Sequence, residues 1–389
     1  MTRAQLLTLI GITLVAIALA GGFFWHWQIK PSQNTITLEI PKETPAFVAP
    51  PEPTPQPEPQ IETKKEEAPG TPFPFNPFGK ITLTPDFFLD GQGTNIDSPE
   101  FFEADAPENT LLLISAKGND LVEVWQFPFK DKELSPLKRN SLPNGLGIDQ
   151  DRNLLLIGDA DEQKVDVHSL PDLKRLSTLG ENKLESGETN VDILTLPNGK
   201  KQAYVTETHG IDIFDVDGGS FIRSFSPNVE SIEEVLADSF HQIIYVPEEN
   251  GVVSKKYPGG ALTAYYPDGR PYLRNGSNVF GKRVFAGDGE GVTLYPCRDK
   301  NGKDTGRGFI LAADQGSGTN NGFEFFDREN WQHLGTLILA GVTLSDGITA
   351  SNKPLSGYPD GLFAASNNDK NIAVISWEKI SQVTRLQCL

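Results

Sequence analysis

Between residues 97 and 375 the apolar positions fall in short runs separated by clusters of Gly, Asn, Asp and Pro. No run sustains the 3.6-residue spacing of an amphipathic helix, so the pattern predicts strands joined by turns. The runs recur as one unit: a short strand opened by an acidic or amide residue, a strongly apolar strand ending in small or acidic residues, and a strand of alternating pattern. Six units open at Asp97, Asn144, Asn190, Glu233, Glu290 and Asp346, at separations of 47, 46, 43, 57 and 56 residues. Their apolar strands are expected at 111–114, 154–159, 203–206, 243–246, 309–314 and 362–365. The alternating strands are expected at 122–125, 165–167, 211–214, near Val252-Val253, at 323–326 and at 372–375. A fourth, outer strand is expected at 173–176 and 221–225. This period and content predict an all-β, six-bladed β-propeller. The extra strand-like piece at 86–89 is placed to pair with the last blade and close the ring.

Ahead of the repeats the pattern changes twice. From Leu6 to Trp25 the chain carries 20 uncharged, mostly apolar residues, flanked by Arg3 and Lys30. That length spans a bilayer, and Phe23, Phe24, Trp25 and Trp27 suit a membrane interface. Ala18-Leu19-Ala20 before Gly21 also reads as the cleavage site of a signal peptide. Either reading exports the rest of the chain, to the periplasm or cell surface if anchored, or as a secreted protein if cleaved. Residues 31–77 hold 13 of the 29 prolines and read as an extended spacer with too few apolar residues for a core. The expected organisation is therefore 1–30 as anchor or signal, 31–77 as linker and 78–389 as propeller.

Charge narrows the partners. The chain carries a net −18, and 29 Lys/Arg against 45 Asp/Glu leave −16 on residues 78–389. Binding to nucleic-acid phosphates needs clustered cations, so it is excluded. The membrane is met through the N-terminal segment, and a monomer is expected. Two cysteines rule out a disulfide-built scaffold and a four-thiolate zinc site. In an exported protein Cys297 and Cys388 are expected to form a disulfide, the alternative being two unrelated buried thiols. The five histidines are scattered without ligand spacing, and the glycine-rich stretch 316–322 lies between two strands, where it reads as a hairpin loop.

In a propeller the first strand of every blade lines the central channel, so the residues that open the repeats converge at one mouth. Those positions hold Asp97, Glu233, Asp288 with Glu290, and Asp346, with Asn144 and Asn190 in the other two repeats. Singly, such residues serve as strand-opening turns. Together, carboxylates forced into one place call for cations between them, and oxygen donors without His or Cys select Ca²⁺ or Mg²⁺.

The run 97–102 (Asp-Ser-Pro-Glu-Phe-Phe), the pair Glu233 and Glu249 around 235–248, the run 288–295 (Asp-Gly-Glu-Gly-Val-Thr-Leu-Tyr) and Asp346-Gly347-Ile348 together resemble the β-propeller phytases. Ala313-Asp314-Gln315-Gly316, 323–328 and 375–380 fit the same pattern, and the resemblance covers about residues 84–383. It implies a calcium-dependent phosphomonoesterase acting on phytate-like phosphorylated small molecules. Carried over by position, Asp97, Glu233, Glu249, Asp288, Glu290 and Asp346 are ligands of Ca²⁺ or its water, Glu233, Asp288 and Glu290 act on that water, and Lys117 contacts phosphate. The chain departs from the family pattern where Ser98 replaces a second aspartate, Gly147 an acidic residue, and Val191 and Thr208 a tyrosine and a lysine. An arginine expected in the second repeat has no counterpart at 159–163. Besides Lys117, only Lys282 and Arg283 are candidate cations for the mouth. The rival expectation is a non-catalytic, calcium-stabilised propeller that binds a partner or glycan at the cell surface.

Overall fold

The computed structural model describes residues 77–388, apart from 131–132, 140, 182, 185–188, 209, 230, 250–259 and 317–320. The expected anchor or signal segment, the linker up to residue 76 and Val252-Val253 lie outside the described residues. Among the described residues no helix is long and apolar enough to cross a membrane.

The strands form six sheets, antiparallel except for one added edge strand, that follow one another along the chain. Blade one is Ile96–Phe102, Leu111–Ala116, Leu121–Gln126 and Leu137–Lys138. Blade two is Pro143–Asp149, Leu154–Asp159, Lys164–Ser169 and Arg175–Leu179. Blade three is Val191–Thr195, Lys201–Glu207, Gly210–Asp215 and Phe221–Phe225. Blade four is Leu236–Asp238, Ile243–Glu248, Ala261–Tyr265 and Val279–Phe280. Blade five is Asp288–Arg298, Asp304–Gln315, Asn321–Asp327 and His333–Leu339. Blade six is Ile348–Ser351, Leu362–Asn367 and Asn371–Ser376, completed by Phe87–Leu89 from the start of the domain. Each first strand touches the first strand of the next blade, and that of blade six touches that of blade one. The ring is a six-bladed propeller.

Each second strand is covered by a neighbouring blade on both faces, which is why it reads as an unbroken apolar run; all six residues of Leu111–Ala116 are buried. The outer strands face water on one side, and Phe221–Phe225 is mostly exposed. Closure runs as the sequence predicts: Phe87, Phe88 and Leu89 pair antiparallel with Val374, Ala373 and Ile372.

The structure corrects the expected strands at four places. The third strand of blade four is Ala261–Tyr265, buried throughout and paired with Ile243–Glu248, and not the region of Val252-Val253. The outer strand of blade two is Arg175–Leu179 and excludes Leu173, whose φ of +55° is incompatible with a strand. Gly79–Leu83 adds a fifth strand to blade five, parallel to His333–Leu339. The chain also ends in a helix, Trp377–Thr384, started by the Ser376 side chain accepting from the Lys379 amide and buried along Trp377, Ile380, Ser381 and Thr384. Trp377 stacks on Tyr295 of blade five at 3.5 Å between ring centres.

Just beyond this helix Cys388 is bonded to Cys297 on the first strand of blade five, with Cα atoms 5.1 Å apart. The expected disulfide is present, and it fastens the C-terminus to blade five while Phe87–Leu89 fastens the N-terminal end to blade six.

Blades four and five are also clamped by Arg328, whose side chain is fully buried. Its Nε and Nη2 donate to the two Asp238 oxygens at 2.7 and 2.6 Å, and Nη1 and Nη2 donate to Asp304 at 2.8 and 2.9 Å. Burial alone would raise the Asp238 carboxyl, but the Arg328 and His241 hydrogen bonds hold it well below the ordinary range. Removing the guanidinium leaves Asp238 charged, buried and unpaired by it. Arg328→Ala is therefore expected to cost about 3–5 kcal/mol in chemical denaturation; a loss below about 1 kcal/mol would show that the clamp contributes little.

The disulfide closes a loop across 91 residues, which sets an upper bound of about 4–5 kcal/mol on its effect through the unfolded chain. Cys297→Ser with Cys388→Ser is expected to lower the melting temperature clearly under non-reducing conditions, and the wild type should fall to the same value in reductant. Equal melting of wild type and variant without reductant would contradict this.

Candidate functional site

Antiparallel pairing puts the start of each first strand beside the end of the second, so both kinds of residue reach one face of the ring. Three first strands carry a bulge at that point: the register slips between Ile96 and Pro99, between Pro143 and Leu146, and between Gly289 and Val292. The slipped residues include Asp97, Asn144 and Glu290. A bulge re-aims a side chain that regular pleating would send elsewhere.

The backbone there is held by buried hydroxyls of the second strands. Ser115 Oγ accepts from the Ser98 amide at 2.9 Å, Thr206 Oγ1 from the Asn190 amide at 2.8 Å, and Ser366 Oγ from the Asp346 and Gly347 amides at 2.9 and 3.1 Å. In blade five Asp314 plays the part, accepting from the Ala286 and Gly287 amides. The signal is readable as a hydroxyl or acid interrupting the end of an apolar run.

At this face lies a cavity of about 350 Å³. Of the residues expected there, Asp97, Lys117, Glu233, Glu249, Asp288, Glu290, Asp346 and Asn190 line it. Asn144 is buried but does not line it, and neither do Lys282 and Arg283, which follow the outer strand of blade four. Glu234 and Asp369 line it as well, unforeseen: the first stands beside Glu233, and the second lies in a turn between later strands of blade six. Eight carboxyl groups thus face one ammonium, Lys117, which sits 2.8 Å from Asp97.

Three of the carboxylates form a compact group. Oxygens of Glu233, Glu249 and Glu290 lie within 4.8 Å of one another. Glu290 is 4% exposed, and its Oε2 is buried without a hydrogen-bond partner. Burial first, then the hydrogen bond and charge of Glu233, then Asp346 and Glu249, push its carboxyl far up. Burial, Asp97, Asp369 and Glu233 push Asp346 up to about 8, and the Gln315 amide also donates to it. Burial, Glu100 and Asp97 raise Glu234 well above the ordinary range.

Two departures from the phytase pattern have a steric or bonding reason. A Cβ on Gly147 would lie 2.5 Å from the Val191 carbonyl oxygen, so the blade-two position holds no side chain. Ser98 donates to Asn190 Oδ1 at 3.3 Å, a donor role closed to an ionised aspartate.

No family model matches the chain, and no curated protein matches it. Among solved structures it is similar to Kuenenia stuttgartiensis hydrazine synthase, at 14% identity and a TM-score of 0.46, over 80% of this chain and 98% of that one. A likeness of this order bears on neither chemistry nor partner.

A carboxyl raised by folding makes the folded state bind more protons, so without metal the protein loses stability as pH climbs from the ordinary carboxylate range to about 8. In chelator, Glu290→Gln is expected to melt a few degrees above the wild type at the alkaline end of this window, the gap closing at the acid end. A variant that melts lower throughout would mean that Glu290 is held by attractive contacts.

Proposed function

We propose that the mouth is a divalent-cation centre, calcium by donor chemistry, which engages phosphate monoesters and hydrolyses them outside the cytoplasm. The carrying observation is the triad Glu233, Glu249 and Glu290 within 4.8 Å with a buried, unpartnered Glu290 oxygen. All its donors are oxygens, the set that suits a hard cation. These three would hold the metal, with Asp97, Asp288 and Asp346 around them. Bound calcium would supply charge neutralisation, attraction for phosphate oxygens and acidification of a bound water. One carboxylate of the set Glu233, Asp288 and Glu290 would take the proton of that water while the others orient it, and the Lys117 ammonium would divide its hydrogens between its partner Asp97 and a phosphate oxygen. The Cys297–Cys388 bond supports an oxidising compartment.

A specific observation favours the second reading, a calcium-stabilised propeller that binds a partner or glycan without catalysis. Lys117 is the one cation among the described residues lining the mouth, and Asp97 already engages it.

The full chain, assayed with phytate, sugar phosphates and an aryl phosphate, is expected to release inorganic phosphate only with Ca²⁺. Glu233→Ala or Asp288→Ala should cut the rate by roughly 100-fold or more, and Lys117→Ala should mainly raise KM. Calcium should also raise the melting temperature by mass action. A calcium-raised melting temperature with no turnover would leave the binding reading standing. No response of melting to calcium would defeat both.

A further inference from the structure

Between the outer strands of blades one and two lies a second cavity, of about 180 Å³, whose character is opposite to that of the mouth. Lys138, Arg139, Lys164 and Arg175 line it. Three carboxylates answer them. Asp159 accepts from Arg139 Nη2 at 2.8 Å, Asp166 takes Arg139 at 3.1 Å and Arg175 at 2.8 Å, and Glu162 pairs with Lys164. Four cations against three carboxylates leave a positive excess in a chain of net −18.

Two side chains of this cavity are buried with a polar atom left over. Arg139, 5% exposed along its side chain, has no partner for Nε, and His168, 4% exposed, has none for Nε2. Their needs are complementary. Arginine is always protonated, so Nε offers a hydrogen. His168 Nδ1 lies 2.9 Å from the Leu173 carbonyl oxygen, which only accepts, so Nδ1 carries the ring hydrogen and Nε2 of the neutral ring is a bare acceptor. Burial and the nearby Arg139 charge keep this imidazole below its ordinary range, against the pull of the Leu173 hydrogen bond.

One group satisfies both atoms by accepting from Nε and donating to Nε2, and of the anions that the surplus cations attract only one that carries a proton does so. We propose that this cavity is a binding site for inorganic hydrogen phosphate, one oxygen accepting from Arg139 Nε and the hydroxyl donating to His168 Nε2, with Lys138 and Arg175 supplying charge at the rim. Sulfate has the charge and shape but no proton. A phosphate monoester at about pH 7.5 has lost its second proton and fails in the same way. Each leaves a buried acceptor unpaired. The site does not depend on the mouth or its metal.

The test is calorimetry on the full chain at about pH 7.5 in chelator, which removes any calcium-recruited phosphate at the mouth. The probes are inorganic phosphate, sulfate and methyl phosphate at equal ionic strength, and the histidine ring signals are followed by NMR in parallel. The expected result is phosphate binding at least about tenfold tighter than sulfate or methyl phosphate, with a shift of the His168 signals. Arg175→Gln, on a side chain 52% exposed, should weaken all the anions, and His168→Phe should erase the preference. If His168→Phe does not fold, the wild-type preference and the ring signals still decide. Equal affinities, no binding of phosphate, or binding that leaves His168 unmoved would overturn the proposal.

Discussion

The structure depends on how closely six first strands can approach one axis. Where neighbouring blades meet there, side chains are squeezed out. A Cβ on Gly291 would lie 2.5 Å from the Asp346 carbonyl oxygen, and one on Gly347 would lie 2.6 Å from that of Asp97. Glycine at these points lets blade five reach blade six, and blade six reach blade one. At these contacts Glu290, Asp346 and Asp97 are among the residues whose side chains line the mouth. The same crowding that closes the ring therefore gathers the acids.

Gathering them costs free energy, and the protein meets that cost only in part. Hydroxyls of the second strands secure the backbone beneath the carboxylates, and Gln315 donates to Asp346. Neither supplies positive charge. At the blade-four/five boundary the outcome is different, because Arg328 spans Asp238 and Asp304 and keeps Asp238 ionised in the interior. Two acidic neighbourhoods in one ring thus have opposite electrostatics. One is neutralised by a fixed guanidinium, and the other, apart from Lys117 on Asp97, is stabilised by protons or by an outside cation.

Much of this was legible in the chain. Strand order, blade count and ring closure follow from a repeated apolar pattern, since every second strand must be buried on both faces and cannot hide in a polar stretch. The convergence of the repeat-opening carboxylates follows from topology alone. What escaped were features set by tertiary contacts: the parallel strand Gly79–Leu83, whose residues are half exposed, and the helix Trp377–Thr384, too short for its period to stand out. Glu234 gave no signal of its own beside Glu233, although neighbours on an irregular segment can both turn inward. Asp369 was hidden because it belongs to a turn between later strands, where an acid usually means no more than the turn itself.

The mouth sets an order on any phosphate chemistry there. Eight carboxyl groups and an ammonium already held by Asp97 repel a phosphate ester, so a cation has to be in place before such a ligand arrives, or together with it. That condition is independent of family resemblance, because it follows from the charges and distances of these side chains. It also separates the mouth from the cavity between blades one and two, where the positive charge is built into the protein. A free anion meets permanent charge at one site and conditional charge at the other. Without divalent cations the crowding of the mouth's carboxyls favours their protonation, and a divalent cation held there would take the place of those protons.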